Sequence, residues 1–161
     1  MTLDQYIIQL EELQRDLPKL IEKFVNERSN YFLGAVKNRF YNQGVDGDGN
    51  KIGSYSKNTI QRKKNKSGRY KRTSHVTLAD SGTWYNNLFI EYEKGDLLLS
   101  NRMGSLTQKL IEGGGNNQNP AYGKSIMLFT IDERNQWVED ILEKLEDHLQ
   151  SEFKTNIKIT I

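Results

Sequence analysis

The sequence predicts an α+β fold, a small, mostly antiparallel sheet packed by long N- and C-terminal amphipathic helices, with extended polar loops between them. Three observations lead to it. Near the start, Leu3, Ile7, Leu10, Leu13, Leu17, Leu20 and Phe24 recur at spacings of three and four. Near the end, Trp137, Val138, Ile141, Leu142, Leu145 and Leu149 form a second such face. Between them, the strand-like runs FIEYE and LLLS flank a Lys94-Gly95-Asp96 turn.

The chain's 161 residues are the size of one ordinary domain. It divides into an N-terminal helical segment over 1–43, a turn and basic loop over 44–76, and the sheet, C-terminal helix and final strand over 77–161. A mean hydropathy of -0.75 is low for a self-sufficient catalyst. Part of the chain is therefore expected to lie in polar loops or to be ordered by neighbouring subunits.

Taken in order, the first helix meets Pro18, which lacks a donor and clashes with the preceding turn. A kink or two helices are expected, the second passing Phe32, Val36 and Phe40 to about Tyr41, with Gln43-Gly44 as the stop. Residues 44–56 have loop composition, and Ser56 is placed to cap a short helix over 57–64. The run NKSGRYKRTSH at 65–75 is nearly free of apolar residues and reads as an exposed, mobile basic loop. TLADSGTWYNN at 77–87 reads as a turn and short helix anchored by Leu78, Trp84 and Leu88. After the hairpin, a helix over 103–111 ends at Gly113-Gly114-Gly115. KSIMLFTI at 124–131 reads as a strand or extended segment, and Thr130 with Glu133 forms a capping box that opens the last helix. In TNIKITI, Ile157, Ile159 and Ile161 alternate with polar residues, the pattern of a half-buried strand joining the sheet.

The chain has no cysteine, which excludes disulfides, thiolate zinc sites and cysteine nucleophiles. No apolar run reaches the ~20 residues a bilayer span needs, and MTLDQYIIQLEEL is acidic where a signal peptide would be basic. A soluble, unprocessed chain is expected. The stretch GVDGDGNK offers Asp46, Asp48 and Asn50 at the first, third and fifth positions of a calcium loop, but Lys51 and Lys57 stand where glycine and a bidentate glutamate belong. A tight Asp-Gly turn explains the same residues. His75 and His148 lack a carboxylate partner at any recognisable spacing, and His148 is expected on the polar face of the last helix. Ser81 lies outside any G-x-S-x-G frame. The expectation is a non-enzymatic protein with no metal and no cofactor.

Charge is distributed unevenly. Between Gly49 and Ala79 there is no acid, whereas Lys51, Lys57, Arg62, Lys63, Lys64, Lys66, Arg69, Lys71 and Arg72 are basic. The acids gather in Asp4, Glu11, Glu12 and Asp16 and again in Glu139, Asp140, Glu143, Glu146 and Asp147. The segment Arg62, Lys63, Lys64, Lys66, Arg69, Tyr70, Lys71 and Arg72 is the candidate to face DNA or a protein partner, with Tyr70 able to stack on a base.

Two motifs in series carry a resemblance. The Gly- and Asp-rich turn followed by Tyr55-Ser56-Lys57-Asn58-Thr59-Ile60-Gln61-Arg62-Lys63 resembles the G-x-x-W-x-P-L-S-x-x-T-x-x-x-K segment of the bacteriophage virion morphogenesis, or tail completion, family. Ser56, Thr59 and Lys63 match, while the tryptophan and proline are replaced around Ile52-Gly53-Ser54. Then 78–88 resembles that family's L-x-x-[ST]-G-x-L-x-x-S-I through Leu78, Ser81, Gly82, Trp84, Asn87 and Leu88, with Trp84 for the usual leucine and Asn87 for the usual serine. The resemblance implies a structural protein of the head-tail neck: a homo-oligomeric ring that joins portal or adaptor to tail, without cofactor or catalytic residues. It also implies a location in the virion after assembly in the host bacterial cytoplasm. A basic middle in each copy could meet packaged DNA or the acidic faces of adjoining rings, with no membrane involved. The alternative from a different class is a nucleic-acid-binding accessory protein acting through the basic loop.

Overall fold

A computed structural model describes residues 3–66, 71–79, 82–113 and 121–153. The fold is α+β, a two-stranded antiparallel sheet packed against long terminal helices. The first helix, α1, runs over Leu3–Asn38 with Pro18 inside it. Of the two alternatives, a kink or two helices, the second is excluded: one missing backbone donor costs about 3 kcal/mol, less than the burial of Phe24, Val25, Phe32 and Val36 from the same helix returns. A π-helical turn over Arg39–Gln43 follows, closed by the Gly44 N–H on the Arg39 carbonyl at 3.0 Å. Gly44 takes φ 64°, and a Cβ there would overlap the His75 ring, so glycine is required twice over.

Two short helices precede the sheet: α2 (Lys57–Lys64), capped as expected by Ser56, whose hydroxyl accepts the Thr59 N–H at 3.3 Å, and α3 (Thr83–Asn86). The strands β1 (Leu88–Glu93) and β2 (Asp96–Asn101) pair in register from Leu88 opposite Asn101 to Glu93 opposite Asp96. The turn is therefore two residues long rather than three. Lys94 and Gly95 both have positive φ, 52° and 95°, the type I′ signature whose twist matches that of the strands. Next comes α4 (Gly104–Glu112), and then a 3-10 turn over Lys124–Met127 where the sequence predicted a strand or extended segment. Leu128 is extended, and 129–130 carry no regular structure before α5 (Ile131–Phe153). The capping box is present, with Thr130 N–H on Glu133 Oε2 at 2.9 Å and Glu133 N–H on Thr130 Oγ1 at 3.1 Å. The final strand expected over TNIKITI lies outside the described residues, as do Gly114 and Gly115.

α1 is the hub. It packs on β1 and on α5, which runs antiparallel to it through Phe32 on Trp137 (ring centroids 4.1 Å apart), Arg28 on Asp140, and Phe24 edge-on to His148. His148 is therefore half-buried in the helix seam instead of lying on a polar face. The core gathers Val25, Phe32, Val36 and Phe40 of α1 with Val76, Leu78, Trp84, Leu88, Ile90, Leu99, Ile126, Phe129 and Trp137. Among the described residues no helix is long and apolar enough to cross a membrane.

Arg28 grips Asp140 with two parallel bonds of 2.5 and 2.6 Å, and this hydrogen bonding holds the Asp140 carboxyl below its ordinary range. A carboxyl depressed in the folded state contributes stability above its unfolded pKa of about 3.9, and that contribution is lost as pH falls through the folded value. Asp140→Asn is expected to lower stability at pH 7 and to flatten the acid limb between about pH 5 and 2. Urea midpoints across that range test it, and parallel curves for the two proteins would refute it.

Candidate interaction surface

The two motif segments are bonded to each other. The Tyr55 hydroxyl accepts the Thr77 N–H at 2.9 Å and shares a hydrogen bond of 3.0 Å with Thr77 Oγ1, while the Val76 N–H reaches the Gly53 carbonyl at 3.2 Å. A residue from just before the Ser56 cap thus fixes the entry to the second motif. Leu78 then takes φ 54°, unusual for a residue with a Cβ, and is buried together with Ala79. Ser81 lies outside the described residues, and Gly82 supplies φ 79° at the start of α3. From there Trp84 and Leu88 enter the core, as expected. The Trp84 indole donates to Thr107 Oγ1 of α4 at 2.9 Å, and its carbonyl accepts from Asn101 Nδ2 at 2.8 Å. Asn87, at the usual serine position, donates its side-chain amide to the Thr83 carbonyl at 2.7 Å and closes the helical turn.

The basic segment divides. Lys57, Arg62, Lys64 and Lys71 are exposed and Lys66 is half-buried. Thr59, beyond its part in the Ser56 cap, accepts from Arg62 Nη2 at 3.4 Å. Lys63 is a correction: its side chain is fully buried, the ammonium 4.7 Å from the centre of the Tyr55 ring, so it does not face DNA or a partner. Its position explains this, because α2 turns Lys63 inward onto the Tyr55 ring, which packs against the core, while Arg62 and Lys64 on either side are exposed. Lys63→Ala is expected to cost about 1–2 kcal/mol through lost packing, against no more than about 0.5 for the exposed Lys64→Ala. Thermal melts of the two variants check it, with equal melting temperatures as the refuting outcome.

Arg69 and Tyr70 lie outside the described residues. Arg72 does not hang free as a mobile loop residue. Its guanidinium stacks over Tyr41 at 4.4 Å and donates to the Tyr41 carbonyl at 3.1 Å, and His75 Nε2 meets the same carbonyl at 2.8 Å. The segment after the basic loop is thereby pinned to the end of α1.

The Gly-Asp stretch is a turn, closed by the bridge between Val45 and Lys51. Asp46 is buried, with Oδ1 accepting from the N–H groups of Asp48 (3.0 Å) and Asn50 (2.9 Å) and Oδ2 accepting from Ser125 Oγ at 2.6 Å. Its oxygens are committed, and among the described residues no group of three or more His, Asp or Glu is placed to hold a metal. Replacing a chelator by millimolar calcium is expected to leave the melting temperature unchanged, and a rise of several degrees would restore the metal site. Gly47 passes directly against the Leu128 backbone, where a Cβ would overlap it.

Sequence reasoning missed Arg39. It is 4% exposed, yet its guanidinium reaches Glu133 Oε1 at 2.8 Å, the Leu128 carbonyl at 3.0 Å and the Val45 carbonyl at 3.2 Å. One side chain therefore joins the end of α1, the Gly-Asp turn, the 128–130 segment and the start of α5. A cleft of about 680 Å³ opens beside it, lined by Asn38, Gln43, Asp48, Asp132 and Arg134 among others. Glu133, which also lines the cleft, spends one oxygen on Arg39 and the other on its own helix cap.

No protein-family model, curated protein or solved structure matches the chain.

Proposed function

We propose that the chain is a structural component of a phage head-tail connector, a neck or tail-completion protein that forms a ring joining portal or adaptor to tail in the virion. The observation that carries this is the junction of the two motif segments, in which Tyr55, next to the Ser56 cap of the basic helix α2, holds Thr77 at the entry to the second motif. Residues separated by some 20 positions in the sequence are thus joined beside α2, where Lys57, Arg62 and Lys64 are exposed. Charged surfaces on every copy of a ring suit contact with adjoining rings or with DNA in transit.

The test is microscopy of particles made with and without the chain. Filled heads and separate tails that fail to join are expected in its absence, and a tagged chain is expected at the neck. Normal virions without it, or a label elsewhere, would dismiss the neck assignment. The acid-free run between Gly49 and Ala79 also favours a second reading, an accessory protein that grips nucleic acid through the basic segment. Binding to mixed-sequence duplex by a monomer, with log affinity falling steeply against log salt at about 0.9 per phosphate contact, would select it instead.

A further inference from the structure

α1 changes environment along its length. Leu3 and Ile21, and Ile7 and Val25, are 18 residues apart, about five whole turns, so all four lie on one helix face. That face is buried beyond residue 21, where Val25, Phe32 and Val36 enter the core, but it is bare in the first turns. Leu3 is 73%, Ile7 44% and Leu10 42% exposed, and Ile8 alongside is 54% exposed. Of the described residues in α5, Phe153 is the last, and it meets Tyr6 edge-on at 5.8 Å on a different side of the helix from Ile8.

The same turns are acidic. Asp4, Glu11, Glu12 and Asp16 stand there against the single cation Arg15, and Asp4 and Glu11 sit on the row of Ile8, beside Leu3, Ile7 and Leu10. The complementary surface lies on the same chain at the far end of α1. The Ile52 N–H bonds the Gly44 carbonyl, and Arg72 and His75 clasp Tyr41, which ties the acid-free basic segment to the C-terminal end of the helix. With 36 residues, α1 is about 54 Å long. The acidic, apolar end and the basic end of one copy are held apart by that rod, so they can satisfy each other only between copies.

We propose that copies of this chain associate head to tail, the bare N-terminal turns of α1 in one copy seating on the basic α2 surface of the next. The methylene stems of Lys57, Arg62 and Lys64 cover Leu3, Ile7 and Leu10 while their charges reach Asp4 and Glu11. A head-to-tail contact of this kind is heterologous, and it closes into a ring when the rotation between copies allows. The proposal deepens the ring assignment and rests on its self-assembly, not on the phage context.

The test measures the mass of the purified full chain against concentration and salt by analytical ultracentrifugation, with three partners. The arm variant carries Asp4→Asn, Ile7→Gln and Glu11→Gln, and the patch variant carries Lys57→Gln, Arg62→Gln and Lys64→Gln. Circular dichroism confirms that each is folded. Oligomers of the unaltered chain that weaken with salt are expected, with each variant at least tenfold weaker in self-association. An equimolar mixture of the two variants then stops at heterodimers, because only one intact contact is left. Rings that persist in the arm variant would overturn the head-to-tail contact and leave the ring itself standing. An arm variant that is monomeric beside a patch variant that still pairs would replace it with an arm-to-arm dimer. A chain that stays monomeric at every concentration would sink both the contact and the ring. Association that strengthens on Ile157→Asp with Ile159→Asp would show that the chain's own end occupies the bare face, which also overturns it.

Discussion

Glu133→Gln is expected to lower the stability of the fold by about 3–5 kcal/mol, the cost of leaving a buried charge without its partner. Arg39 is almost wholly enclosed, and among the described residues the Glu133 carboxylate is the one anion that its guanidinium bonds, beside the Val45 and Leu128 carbonyls. Glutamine preserves the shape and can still accept the Thr130 N–H, so the helix cap survives and the loss is that of the charge together with its hydrogen bond to Arg39. Arg39→Lys should fare little better, since one ammonium cannot span three acceptors on separate segments. For a chain of this length the melting temperature should fall on the order of 10 °C. The pair Arg39→Met with Glu133→Met should recover a large part of the loss, because an apolar replacement leaves no charge stranded. A urea midpoint for Glu133→Gln equal to that of the unaltered chain would show that the pair contributes nothing net.

Trp84→Ala is expected to cost a comparable ~3–5 kcal/mol. The indole is 3% exposed and touches Phe40 across 6.0 Å, and it links α3 to α4 through Thr107. Two companions divide the effect. Trp84→Phe keeps most of the apolar contact and removes the indole donor, a loss of about 1 kcal/mol beyond repacking. Thr107→Val keeps the indole but strands its N–H, at about 1–3 kcal/mol. Calorimetry on the three variants should place Trp84→Ala as the most severe, with both companions milder. An unchanged melting temperature for Trp84→Ala would remove the tryptophan from the core.

The elements that were legible in the sequence are those whose signals are local. The Ser56 cap, the Thr130 and Glu133 box, the Gly113 stop and the hairpin each depend on a few consecutive residues, and each is present. The one-residue error in the hairpin turn arose because Asp96 looks like a turn residue but pairs with Glu93. KSIMLFTI was misjudged because a short apolar run does not distinguish a strand from a buried turn. There, Ser125 is held by Asp46 from 79 positions away, a contact no window could anticipate. Arg39 was invisible for the same reason: its anion lies 94 positions downstream, and Glu133 already had a local explanation. Lys63 was lost in a charge run, although the nearby Tyr55 ring carried the signal.

Pro18 takes on a different meaning beside the uneven burial of α1. It withdraws the amide that would have bonded to the Gln14 carbonyl, at the point where the exposed turns give way to the packed ones. Helix formation spreads cooperatively from a nucleus, and a missing bond weakens the spread. The first four turns should therefore open and close on their own, exchanging their amide hydrogens far faster than the stretch around Phe32, which opens only with the whole domain. An arm that frays in the free chain gains order when it is covered. Its capture by a neighbour would then be a folding step as well as a docking step, moderate in affinity and easily reversed until the last subunit arrives.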